Sequence, residues 1–389
     1  MKASADHLPS RRHFMRLLSL GAGATIAGSA SLAKPLRTLA EGLTADRKLG
    51  VALVGLGKYS TDELAPALQQ TKLCRLAGIV TGSPAKAARW KQQYNIADKN
   101  IYDYKTFDRI ADNPDIDIVY VVLPNALHAE YVVRAAQAGK HVICEKPMAT
   151  SVADAARMIA AMQKAGKKLG IGYRLHFEPH HREMMRLGQQ QVFGPVQHLL
   201  ADNGFRFNND TPWRVNKALS GGGPLMDMGI YCLQGCIYTK GQVPVSVTAK
   251  FTPKTDPMLF KEVEAGVNWQ LQFADGATAD CRTTYAENMA SRLRAEAPKG
   301  WAELAPAFGY GGLQGRTSQG PMNIPNVNQQ AAQMDDFADC VLHNKPTRVP
   351  GEMGLRDVQL LEAIYRAAET GQKVSTKDVA SVLDKVGKK

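Results

Sequence analysis

The 389-residue chain carries 44% hydrophobic and 22% charged residues. That balance excludes a disordered polymer and leaves room for roughly two or three domains. Six cysteines are too few for a disulfide scaffold, and the formal charge of +12 comes with no basic-aromatic motif or nucleic-acid module, so no nucleic-acid partner is expected.

The first segment reads as an address. Ser10-Arg11-Arg12-His13-Phe14-Met15-Arg16 sets two arginines before a large apolar residue, and Leu17 to Ala33 is uncharged and rich in Gly, Ala and Ser. Ser31-Leu32-Ala33 supplies small residues at a cleavage spacing. These features predict a signal peptide over residues 1–33, and the paired arginines predict twin-arginine (Tat) export to the periplasm. The alternative is a membrane anchor, for which the segment is short and glycine-weakened. Losing it removes Lys2, Arg11, Arg12 and Arg16 against Asp6, which leaves a charge of about +9. An exported chain meets oxidising conditions. Cys232 and Cys236 share a face if their stretch is helical, although six small buried thiols are the plainer reading. No CxxC or HExxH spacing marks a metal site.

Residues 34–47 contain Pro35 and mixed charge and read as an arm. From 48 to 170, strand and helix patterns alternate. Strands are predicted at Gly50–Val54, Leu73–Val80, Ile116–Leu123, His141–Cys144 and Leu169–Gly172. Helices are predicted at Asp62–Gln70, Pro84–Tyr94, Ala126–Ala138 and Val152–Ala165. Continuous apolar strands in such alternation predict an α/β fold with a doubly wound parallel sheet covered on both faces.

Gly55-x-Gly57-x-x-Ser60 follows the first strand and opens a helix. Gly55 permits the tight turn, Gly57 lets backbone approach a pyrophosphate, and Ser60 is small enough for helix–strand packing. The helix start then faces phosphate charge. After the second strand, an NAD enzyme usually places an acid on the ribose hydroxyls. Here Thr81-Gly82-Ser83-Pro84-Ala85-Lys86 has hydroxyls and a lysine but no acid. Hydroxyls and a cation suit a 2′-phosphate, so NADP is expected rather than NAD. A plain turn followed by a solvated lysine is the competing reading.

Two further motifs carry chemistry. Glu145-Lys146-Pro147 follows a strand end, where ligands of open α/β sheets bind. A lysine there bonds hydroxyls and lowers the pKa of a neighbouring tyrosine. Pro147 is a candidate for a cis bond. Gly221-Gly222-Gly223-Pro224 leads into a helix that places Asp227 and Tyr231 four residues apart, on one face. An acid and a phenol together suit polyol orientation and proton transfer. Taken alone, a helix cap and a packing residue explain them better; together with Lys146 and the nucleotide turn, the catalytic reading overtakes that one.

Gly55-Leu56-Gly57-Lys58-Tyr59, Leu123-Pro124-Asn125-Ala126-Leu127-His128-Ala129-Glu130, Glu145 to Ser151, Gly172-Tyr173-Arg174 and Gly221 to Tyr231 carry a resemblance. So do Asn344-Lys345-Pro346 and Pro350 to Val358. Together they resemble the glucose–fructose oxidoreductase family, within the Gfo/Idh/MocA group. The resemblance implies an N-terminal Rossmann domain over 48–170. It also implies a C-terminal α/β domain over 171–389, with a mainly antiparallel open sheet facing a partner subunit in a homodimer or homotetramer. It implies tightly held NADP, with one aldose oxidised to its lactone and a second sugar, fructose-like, reduced in a ping-pong cycle. By the same resemblance Tyr231 is the acid/base, Lys146 its partner and Asp227 the orienting group. Tyr173, Arg174, Trp213 and Arg214 line the sugar cleft. Leu123, Pro124, Asn125, His128, Glu145, Lys146 and Arg174 join Gly55–Tyr59, Thr81–Ser83 and Lys86 at the cofactor, with Arg37 of the arm above it. The stretch from Met289 to Pro325 matches loosely and reads as a binding loop or an exposed connection. Three other functions stay open: a dehydrogenase with dissociable cofactor, a nucleotide-dependent glycosidase, and a non-catalytic NADP-binding regulator.

Overall fold

The computed structural model describes residues 47–379. The signal segment and Arg37 lie outside the described residues. Six strands form one all-parallel sheet: β1 (Leu49–Val54), β2 (Cys74–Val80), β3 (Ile101–Tyr102), β4 (Ile118–Val121), β5 (His141–Cys144) and β6 (Leu169–Ile171). Their order is β3-β2-β1-β4-β5-β6. Every residue of β1 and β4 is buried, as a sheet covered on both faces requires. The covering helices are α1 (Ala65–Leu68), α2 (Pro84–Tyr94), α3 (His128–Gln137) and α4 (Val152–Lys164). Chain direction across the sheet reverses between β1 and β4, which opens a crevice at their carboxyl ends.

Most elements fall where the pattern places them, with instructive exceptions. The first helix spans residues 58–68, with a π-turn at Ser60–Leu64, rather than Asp62–Gln70. It starts early because the Ser60 hydroxyl donates to Gly55 O at 2.6 Å and pins the helix to the turn. The apolar run at 116–123 yields only the short β4, because Ile116 and Leu123 are buried outside the ladder. Strand β3 is too short to show a period.

The second sheet holds nine strands. They are β7 (His198–Gly204), β8 (Ser246–Phe251), β9 (Gly266–Gln272), β10 (Thr278–Thr284), β11 (Arg292–Ala297), β12 (Gly300–Leu304), β13 (Gly315–Thr317), β14 (Gly320–Met322) and β15 (Val374–Ser375). The order is β14-β13-β12-β11-β7-β10-β9-β8-β15. All neighbours are antiparallel except β7 and β10. Its helices are α5 (Pro179–Gln189), α6 (Lys217–Ser220), α7 (Ile230–Lys240), α8 (Gln329–Leu342) and α9 (Gly351–Thr370). All of α7 is buried, and Leu233 and Cys236 share a core with Leu199, Leu271 and Leu293 of the sheet. Cys232 and Cys236 do not pair with each other. All six cysteines are free and buried, and Cys236 Sγ lies 3.6 Å from Cys281 Sγ.

Helix α8 crosses the chain-order division at residue 170. Met334, Phe337 and Ala338 join Leu49, Val51, Leu53 and Ile118 in the core beneath the parallel sheet. The Asp335 carboxylate accepts the backbone N–H groups of Lys72 and Leu73 at 2.8–3.0 Å. Gly170 leaves room for the Phe337 ring, which a Cβ there would meet at 2.8 Å. Phe337→Ala is therefore expected to lower unfolding stability by about 3–5 kcal/mol, read as a shifted urea midpoint. An unmoved midpoint would show that α8 is not part of this core.

Candidate active site

The crevice between β1 and β4 is lined first by the glycine turn. Gly55 has φ +94, and a Cβ there would meet Val122 O at 2.3 Å. Only glycine suits that approach. A Cβ on Gly57 would meet nothing within 4 Å, so backbone is bare toward open space. The Lys86 ammonium reaches this turn and donates to Leu56 O at 2.9 Å. Ser83 caps α2, and its N–H donates to the Thr81 hydroxyl at 3.2 Å. The turn thus offers bare backbone for a pyrophosphate, and the end of β2 offers hydroxyls and a cation without an acid. These residues fit a dinucleotide with a phosphorylated ribose.

Lys146 stands at the end of β5, before a cis bond to Pro147. Its ammonium donates to Asp227 O at 2.7 Å and to Asp227 Oδ1 at 3.1 Å. It also lies 4.6 Å from the centre of the Tyr231 ring. The expected α-helix around Asp227 is a π-turn, Leu225–Gly229, that feeds into α7. Such turns are frequent at functional sites. The buried Glu264 carboxylate holds the start of this turn, accepting the N–H groups of Gly223 and Leu225 at 3.0 and 3.1 Å. A Cβ on Gly223 would strike Glu264 O at 2.6 Å, which accounts for a glycine before the turn.

Asp227 is the electrostatic centre. Tyr285 donates to its Oδ2 at 2.7 Å, and Arg214 Nε lies 3.5 Å from the same oxygen. Burial opposes the charge of Asp227, but Arg214, Lys146 and the Tyr285 hydroxyl outweigh it and hold the carboxyl well below the usual range. Burial likewise opposes the charge of Lys146, while Tyr231 and Asp227 raise its pKa. Tyr285 is steadied by Phe205 and Phe207, whose ring centres lie 5.2 and 5.1 Å away. Trp213 stands beside Arg214, 4.7 Å from ring to guanidinium.

The structure brings together Lys146, Asp227, Tyr231, Arg174 and Arg214, as expected. Several other expected ligands are otherwise engaged. Tyr173 does not line the cleft: it is 2% exposed and faces Asp357, with its hydroxyl pKa raised by burial and by that carboxylate. Both His128 ring nitrogens lie 2.9 Å from backbone carbonyls, of Pro147 and Leu123, so neither is left for a cofactor. Asn125 donates its amide to Ser220 O at 2.8 Å. Glu145 accepts from the Tyr120 hydroxyl at 2.7 Å and from Lys146 N at 3.2 Å. Lys58 points to solvent and pairs with Asp62. Through these contacts His128, Asn125 and Glu145 brace the frame around the site, with Tyr173 buried behind it.

The stretch 289–325 supplies residues that sequence reading missed. Phe308 stacks on Tyr231 at 6.1 Å. Tyr310 lies 4.5 Å from the Arg174 guanidinium and 5.6 Å from Tyr59 of the glycine turn. Tyr310 thus ties the nucleotide turn to the reacting cluster. An aromatic between glycines, Gly309-Tyr310-Gly311-Gly312, was the available hint.

Residues 49–173 match the oxidoreductase family model with an NAD-binding Rossmann fold, 181–303 the GFO/IDH/MocA C-terminal domain, and 321–376 the oxidoreductase family C-terminal alpha/beta domain. An aldose-aldose oxidoreductase from Caulobacter crescentus, solved with glycerol, is 45% identical with a TM-score of 0.82, covering 85% of this chain and 100% of its own. The D-xylose 1-dehydrogenase [NADP(+)] of Haloarcula marismortui is 28% identical over 85% of this chain and 93% of its own length. The D-glucoside 3-dehydrogenase of Escherichia coli is 27% identical over 84% of this chain and 97% of its own.

Proposed function

This chain belongs to the Gfo/Idh/MocA oxidoreductase family, and from that we propose an NADP-linked sugar oxidoreductase that keeps its cofactor through the cycle. It oxidises an aldose to the lactone and passes the hydride to a second sugar. The observation that carries this reading is the convergence of Lys146, Asp227 and Tyr231 beside a dinucleotide turn with a lysine and no acid. Similarity to an aldose-aldose oxidoreductase supports two sugar partners. Similarity to an NADP(+)-linked xylose dehydrogenase supports the cofactor and oxidation at C1.

Gly55–Tyr59, Thr81–Ser83 and Lys86 hold the nucleotide. A nicotinamide cofactor held by these residues would supply the hydride acceptor for one sugar and the hydride donor for the other. Tyr231 takes the C1 hydroxyl proton as the hydride leaves, and returns a proton to the second sugar's carbonyl oxygen. Lys146 stabilises the phenolate, and Asp227, held by Tyr285 and Arg214, orients sugar hydroxyls. A chain with non-exchanging nucleotide suits folded export by the twin-arginine route, which the address at residues 1–33 supports. Assembly through the outer face of the nine-stranded sheet, as dimer or tetramer, belongs to the same proposal.

The test is to purify the protein without added nucleotide and record its absorbance. Glucose should raise the reduced-nicotinamide band, and fructose or a second aldose should discharge it. Nucleotide-free protein that turns over only with added NADP would instead establish a conventional dehydrogenase, the reading the relatives' names favour.

A further inference from the structure

Arg174 is a buried cation without an anion. It is 2% exposed, yet every acceptor it reaches is neutral. Its Nη1 donates to Gly309 O at 2.8 Å and to Gln329 Oε1, and its Nη2 donates to Phe308 O at 2.6 Å. Its Nε–H has no acceptor. Among the described residues no carboxylate pairs with it, whereas Lys146 and Arg214 both pair with Asp227. Glu145 and Glu63 feel its field without contacting it. A guanidinium removed from water without a counter-ion is costly. Neutral carbonyls fix its place and leave its charge uncancelled.

That charge is aimed at a reacting group. The Arg174 guanidinium lies 5.0 Å from the Tyr231 ring centre. Lys146 lies 4.6 Å from the same ring, and Phe308 stacks on it. Arg214, Tyr310 and Tyr59 also interact electrostatically with Tyr231, and Asp227 acts on it through Lys146. His181, behind Phe308, adds no charge, because burial pushes its pKa down to about 3. Lys146 has a carboxylate partner in Asp227, whereas the carboxylates that feel Arg174, Glu145 and Glu63, act on it without an ion pair.

We propose that Arg174 is the fixed countercharge of the Tyr231 phenolate, a positioning residue acting through Tyr231 rather than a ligand of nucleotide or sugar. The inference rests on Tyr231 being the acid/base. When Tyr231 surrenders its proton, the pair becomes neutral overall, and the unpaired cation gains the anion it lacks. The guanidinium is preorganised by the 308–309 carbonyls, so little reorganisation accompanies the step.

Two variants separate charge from anchoring. Arg174→Gln keeps an amide donor for the loop carbonyls and loses the charge; Arg174→Lys keeps the charge with fewer donors. The first readout needs no sugar: an ultraviolet tyrosinate titration of the nucleotide-loaded protein, with Tyr231→Phe identifying the Tyr231 signal. That signal should move upward by about one pH unit or more in Arg174→Gln and largely return in Arg174→Lys. With sugar, kcat should fall at least about tenfold in Arg174→Gln, with KM held within about twofold. An unmoved tyrosinate signal, or Arg174→Lys no better than Arg174→Gln, would leave Arg174 a loop anchor and overturn the proposal. A raised KM with unchanged kcat would make it a sugar ligand and overturn it too. If the signal moves but no aldose reduces the nucleotide of the parent protein, the oxidoreductase reading fails while the electrostatic link stands.

Discussion

Tyr231→Phe loses turnover by about 10²–10⁴-fold, the range for removing a positioned acid/base, and emerges from purification with its nucleotide still bound. The ring is held by packing, 7% exposed and stacked on Phe308, so deleting one oxygen leaves the site's shape intact. The glycine turn and Lys86 lie outside the change. Both half-reactions should suffer equally, since the same hydroxyl takes the proton in one and gives it in the other. The check is stopped-flow reduction of bound nucleotide by glucose, followed by its discharge. Near-native rates would remove Tyr231 from the chemistry. A loss confined to one half-reaction would require a second proton carrier.

Lys146→Met costs about 10²–10³-fold in kcat, the scale for deleting a preorganised electrostatic donor. Two effects combine. The Tyr231 ring loses the cation 4.6 Å from its centre. Asp227 loses a donor to both its backbone and its side-chain oxygens. Arg214 and Tyr285 still reach the carboxylate, so Asp227 is not stranded and the variant should fold and keep its nucleotide. Circular dichroism and the bound-nucleotide absorbance check that, and single-turnover kinetics measure the loss. A fully active variant would refute the role of Lys146. One that folds but carries no nucleotide would show that Lys146 holds the cofactor rather than the proton-transfer geometry.

The alternating layer was legible because its signals are local. Strands β1, β2 and β5 are short apolar runs bounded by turns, and α2 begins at Pro84, where its pattern starts. The glycine turn, Lys146, Asp227 and Tyr231 were legible because each lies in a short motif. What stayed hidden depends on distance along the chain. Tyr285, Phe308, Tyr310 and Gln329 come from a strand end, a loop and a helix start that no period marks. They enter the site only because the second sheet and the start of α8 carry them there. The expected residues whose side chains are engaged elsewhere share a cause too. Tyr173, His128, Asn125 and Glu145 sit within motifs that surround the site, and sequence adjacency does not tell a side chain that faces the crevice from one that braces its wall. The π-turn at Asp227 escaped for a similar reason: it rests on Glu264, which is remote in sequence.

Helix α8 has a consequence for how this molecule comes into being. The strands of the nucleotide layer are complete by Ile171, but the apolar underside of that layer is covered by Met334 and Phe337. During synthesis the half that grips the nucleotide therefore stays unfinished until residues 329–342 have left the ribosome. Its apolar underside is covered only when α8 docks. Closure of the nucleotide layer is thereby tied to the docking of α8.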